Sequence, residues 1–204
     1  MPLLLITPPA LVVQAPQARP AHVAPQVLDP LQELFEAIPE ALIDGKRGAM
    51  RGLVAKAKAG WDRAKPDIRR AMPEPETIAI DRQLKAMAGM KPREQAVGAL
   101  GISSTLSRFQ ARSRQQDLLH ADRTAMLAWC HVDAGDWDRL PRLAEAFQPL
   151  LDQDEPGNGP HALAVSGVQD ALKRFQGSQQ KHHMAGAKKA LKDLLDLVDA
   201  LEKP

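Results

Sequence analysis

An all-α chain, an irregular bundle of about five to seven helices built from antiparallel hairpins behind a disordered N-terminal leader, is what this sequence predicts. Three observations carry that expectation. The apolar residues are mainly Ala and Leu, which favour helix, while Tyr is absent and only four Phe and three Trp occur. From Leu28 onward apolar residues recur at three- and four-residue steps. Between those runs the breaks are punctuated by Gly, Pro and Asp. At 204 residues the chain is long enough to bury a core without covalent staples. Its single Cys excludes an internal disulfide and any Cys-rich zinc site.

Residues 1–26 stand apart as a leader. Apolar stretches Leu3–Ile6 and Ala10–Val13 flank Thr7-Pro8-Pro9, and Val13 and Ala15 have the −3, −1 spacing that a signal peptidase reads. The tract Pro16–Pro25 is too rich in Pro to hold a helix. Export to the periplasm or outside the cell is the expectation. A cytoplasmic location is the alternative, because no Lys or Arg precedes Arg19. No later run approaches the ~20 apolar residues of a membrane span.

Residues 27–204 are expected to form one helical-bundle domain. Asp29 is placed to cap the first helix, with Pro30 at its first position and Leu31, Leu34, Phe35, Ile38 and Leu42 as its apolar stripe. Pro39 is expected to kink it, and Asp44-Gly45 to end it. The second helix turns Met50, Leu53, Val54, Ala57 and Trp61 to one side, and Pro66 lies past that face. Met72–Thr77 is expected as a linker and Asp81 as the cap of a short helix running to Gly89. Pro92 opens a pattern through Phe109 that Gly98 and Gly101 weaken. The polar run Arg112–Asp117 is either a helix projecting into water or a break, and the pattern resumes from Leu119 to Val132. A further helix covers about 137–147, with Pro141 able to delay its start, before the Gly/Pro-rich loop 152–160. Val165, Val168, Leu172 and Phe175 make the next seam, with Gly177 suited to the C′ position and Ser178 to capping the last helix. There Met184, Ala187, Leu191, Leu194, Val198 and Leu201 alternate three- and four-residue steps, a pattern that needs a partner helix. Its Lys residues come first and its acids last, against the helix dipole, so burial must hold it in place.

Two features could carry chemistry. Of the six His, His120 and His131 share nearly one face, but lie about 16 Å apart at ~1.5 Å rise per residue, so they cannot share a metal. A transition-metal or haem site would have to join Cys130, His131 or Met126 to His182 or His183 on another helix. The bland alternative is surface imidazoles. Cys130 and His131 diverge around a helix and cannot act as nucleophile and base. The second feature is the Lys/Arg-rich stretch Lys46–Arg70, in which Arg51, Lys58 and Arg63 could meet an anionic partner. The acids Glu33, Glu36, Glu40 and Asp44 on the preceding helix could instead satisfy it internally. Only Trp61 is available there for base stacking, so nucleic acid is not expected. With no phosphate loop, nucleophile elbow or paired carboxylates in the sequence, the reading is a non-enzymatic, exported module that binds a protein partner or small ligand without a resident cofactor.

Overall fold

A computed structural model describes residues 22–111, 113–152 and 160–202. Residues 1–21, with the expected cleavage site, and 153–159, most of the Gly/Pro-rich loop, lie outside the described residues. The chain is all-α, as expected. Among the described residues there are eight α-helices: α1 (Pro25–Ile43), α2 (Met50–Ile68), α3 (Glu74–Met87), α4 (Pro92–Ser107), α5 (Arg114–Asp133), α6 (Leu143–Leu151), α7 (Pro160–Gln180) and α8 (Met184–Glu202). Short 3-10 turns at Arg47–Ala49 and Trp137–Arg139 complete it. The count exceeds the sequence range because the polar run after Ala111 ends in a true helix start. Ser113 is extended there and its hydroxyl accepts from the Gln116 backbone N–H at 3.3 Å.

The fold hinges on α5, which packs against α1, α4, α6 and α8. On one side α1 lies against α2 and α4, with α3 covering α4; on the other α7 and α8 pair closely. Buried side chains from all eight helices form one continuous cluster, with Trp61, Phe35 and Phe147 its largest fully buried members. Among the described residues, no helix is long and apolar enough to cross a membrane.

Three helices end in the same way. The N–H two residues past the cap reaches back five residues (Lys46 to Ala41 O, Asp136 to His131 O, His183 to Ser178 O), and the preceding N–H reaches back three. This is the Schellman arrangement, whose C′ residue must be left-handed. Gly45 (φ 74°) and Gly135 (φ 70°) supply it for α1 and α5, as the sequence suggests. For α7 the expectation at Gly177 is corrected. The helix runs on through Gly177, and His182 turns the chain at φ 49°. Its ring stacks on Trp137, with centroids 5.2 Å apart and planes within 10°, which offsets a conformation costly for a side chain with a Cβ. Ser178 accordingly lies inside α7, and its carbonyl takes the His183 N–H. Gly177 sits inside α7 with open space around it. Gly177→Ala should therefore raise stability by about 0.5–1 kcal/mol in urea unfolding, whereas a true C′ glycine would make it destabilising.

Other boundaries move for identifiable reasons. α1 begins at Pro25, not Pro30, because Val23 is already in the core and its N–H bonds Phe109 O at 2.9 Å. Val23 thus packs with the bundle, and Asp29 accepts from Gln110 Nε2 at 3.0 Å instead of capping. α1 runs as one helix from Pro25 to Ile43, with Pro39 inside it and buried. The expected linker Met72–Thr77 shrinks, since Glu74, Pro75 and Glu76 form the first turn of α3, a placement that dipole and Pro preferences both favour. Asp81 then lies inside α3. Pro141 does delay α6: Leu140 is extended (ψ 132°), as a residue before Pro prefers, and the helix starts at Leu143. Gly98 lets α3 approach α4, since an added Cβ would sit 3.1 Å from Met87 Cγ. The dipole conflict in α8 is met by partners on other helices: Lys188 bonds Asp133 at 2.5 Å, and Asp193 pairs with Arg174 at 3.0 Å. Of the α8 seam, Ala187, Leu191, Leu194, Val198 and Leu201 are buried, but Met184, at the first turn, is 40% exposed.

Candidate functional site

Polar side chains follow the junction of α1, α4 and α5. On α1, Gln32 and Glu36 continue the stripe that starts at Leu28, four residues apart, and both are buried. On α4, Ser103 and Ser107 repeat the same spacing opposite them. Arg123 of α5, only 4% exposed, closes the set. Its Nε donates to Glu36 Oε1 at 2.7 Å, and its Nη1 donates to Ser107 Oγ. Ser103 Oγ donates to the same Glu36 oxygen at 3.2 Å. Ser107 Oγ gives its proton to Ser103 O at 2.9 Å and accepts from Gln32 Nε2 at 3.1 Å. Gln110 bridges Gln32 (2.7 Å) to Asp29 and accepts from Gln116 Nε2.

These bonds engage most of the nearby oxygens: Ser107 Oγ accepts twice, and the Gln32 and Gln110 carbonyl oxygens accept once each. Arg123 Nη2 is left over. It is buried and has no hydrogen-bond partner; among the described residues only Glu76 Oε2 shares that condition. An unpaired buried donor costs of order 1–3 kcal/mol, so a guanidinium edge left in this state is unusual.

Arg123 also lines a groove of about 590 Å³ between α4, α5 and the entry to α6. Val97, Leu100, Leu127, Pro141 and Ala146 make it largely apolar, and Ser104, His120 and Thr124 add polar groups. Thr124 Oγ1 is committed to His120 O at 2.7 Å, and Arg142 to Glu145 at 2.9 Å. An apolar groove of this size with few polar groups is the usual form of a small-molecule site. By contrast, a groove of about 760 Å³ between α7 and α8 is lined by charges that pair with each other, Arg174 with Asp193 and Lys173 with Asp170.

The sequence-predicted residues lie elsewhere. His131 Nδ1 is 3.5 Å from Asp136 Oδ2, near the end of α5. His182 stacks on Trp137, and His183 lines a separate groove with Ser178, Lys181 and Lys189. Among the described residues, no group of three or more His, Cys, Asp or Glu is placed to hold a metal. Arg51, Lys58 and Arg63 are exposed on the outer face of α2, with Lys58 paired to Asp62 at 2.5 Å. The acids of α1 do not answer them. Glu36 turns to Arg123, and Asp44 pairs with Lys46 at 2.9 Å. Burial, then neighbouring Glu36, Asp199 and Asp44, holds the Glu40 carboxyl above its usual range. The expected charge complement between the first two helices is thus replaced by pairs to α5 and within the α1–α2 turn.

Cys130 is buried beside Trp129 in sequence, and burial, followed by the charge of Asp133, pushes its thiol up to about 12. A thiol, not a thiolate, is present at neutral pH. Native protein should leave Cys130 unmodified by a thiol-directed reagent at pH 7–8, with one equivalent reacting on unfolding; rapid native labelling would contradict this packing.

Compared with protein-family models, curated proteins and solved structures, the chain matches none.

Proposed function

We propose that this chain is a non-enzymatic helical-bundle module, exported from the cytoplasm, that takes up a small and largely apolar ligand in the groove between α4, α5 and α6. The observation that carries the reading is Arg123 Nη2, a buried cationic donor without a partner on a side chain that lines a groove with a largely apolar wall. Binding rather than turnover is favoured by what the polar groups there already do: Thr124 is bonded to its own helix, Arg142 to Glu145, and Arg123 to Glu36 and Ser107. Export rests on the Val13/Ala15 spacing behind an apolar stretch.

Nile red, a neutral dye that fluoresces in apolar surroundings, tests the groove. One dye per chain is expected, and Thr124→Trp, which places an indole in the groove from a half-exposed position, should reduce binding at least about tenfold while the helical circular dichroism is unchanged. Absence of saturable binding, or binding indifferent to Thr124→Trp, would remove the groove from consideration. For export, mass analysis of the protein from its own host should find a chain starting at Pro16 outside the cytoplasm; an intact Met1 form confined to the cytosol would overturn that part.

A further inference from the structure

We infer that the ligand of this groove is a neutral molecule that presents a carbonyl-type oxygen to Arg123, not a free acid; the inference rests on the groove being the binding site. The hydrogen-bond inventory sets the first requirement. Nη2 carries donors only and, as the junction is packed, reaches none of the surrounding oxygens, so the partner that fits it is an acceptor brought from the groove.

Charge sets the second. Arg123 is already neutralised by Glu36, whose carboxylate is nearly as buried, and the groove's other paired cation, Arg142, is matched by Glu145. A carboxylate or phosphate entering beside Glu36 would surrender its hydration and meet no unmatched positive charge on Arg123. A carbonyl surrenders far less hydration and still gains a bond from a charged donor. An amine or ammonium group would leave Nη2 unpaired, because Arg123 offers it nothing that accepts. The remaining wall, Val97, Leu100, Leu127, Pro141 and Ala146, asks for an apolar body. An ester, ketone or amide on a hydrocarbon or aromatic frame meets every condition.

Three naphthalenes of nearly one shape separate the alternatives, each measured by displacement of Nile red from the full chain at pH 7: 2-acetonaphthone (neutral ketone), 2-naphthoate (anion) and 2-ethylnaphthalene (no acceptor). The ketone is expected to bind about tenfold or more tighter than either of the others. Its carbonyl stretch should fall in frequency on binding, as for an oxygen accepting from a guanidinium. In the paired variant Glu36→Gln/Arg123→Met, which leaves no buried charge unpaired, the preference and the frequency shift should both vanish while naphthalene binding persists. Equal affinity of ketone and ethyl compound would overturn the inference and leave the groove reading standing. Tightest binding by naphthoate would overturn it in favour of an acid ligand. A dye that never binds would remove the groove itself. The carbonyl frequency reports on the native chain and keeps the test decisive if the paired variant folds poorly.

Discussion

Arg123→Met is expected to lower folding stability by about 3–5 kcal/mol, because it leaves the Glu36 carboxylate inside the α1–α4–α5 junction without its counter-charge. Shape is not the reason, since Met follows much of the Arg stem. The cost is that of an unpaired buried charge, together with a lost donor to Ser107. Glu36→Gln/Arg123→Met should recover most of the loss, and the double-mutant cycle in urea should give a coupling of at least about 2 kcal/mol. A single-variant cost below about 1 kcal/mol would mean that water reaches Glu36 freely, in place of the closed set of bonds from Asp29 to Arg123. The paired variant also separates stability from binding: it should be folded and yet blind to the ligand's oxygen.

The helices were legible and this junction was not, and the difference is one of range. Periodicity is a local property. Met50, Val54, Ala57 and Trp61 are all buried on the face the spacing marks, and so are Leu191, Leu194, Val198 and Leu201. Errors cluster where a residue type speaks for two structures. Pro30 reads as a helix start but is tolerated inside α1, and Pro75 reads as a linker but opens α3. His182 gives no hint that it will take a glycine's conformation, because the Trp137 ring that stacks on it comes from a distant turn. Glu36 and Arg123 are 87 positions apart, and each alone looks like an ordinary surface charge on an amphipathic helix. A signal did exist: Gln32 and Glu36 fall on the stripe begun by Leu28, and Ser103 and Ser107 share the four-residue step. Polar residues at core spacing on two helices imply a buried network, although only packing reveals that its fifth member comes from α5. Histidines drew attention by chemical type, which says nothing about whether donors converge.

Trp61→Ala should cost about 3–5 kcal/mol, the range for deleting a large, fully buried aromatic side chain. Trp61 is more than filler, because its Nε1 donates to Asp81 Oδ1 at 2.7 Å and so fastens α2 to α3; Lys65 holds the other oxygen of the same carboxylate. Trp61→Phe isolates that bond and should cost less, about 1–2 kcal/mol from lost volume and the lost donor together. Its pH dependence identifies the mechanism. Burial pushes the Asp81 carboxyl upward, but the hydrogen bonds from Lys65 and Trp61 outweigh it, and the net direction is downward. A carboxyl with a depressed folded pKa stabilises the fold above its ordinary unfolded value near ~3.9, and loses that contribution as pH falls through the folded value. The gap between wild type and Trp61→Phe should therefore be widest near neutrality and narrow in acid, whereas Trp61→Ala, dominated by the cavity, should keep most of its deficit at every pH. If the Phe variant's deficit is flat with pH, the indole matters to α2 and α3 as volume alone, and the hold on Asp81 belongs to Lys65.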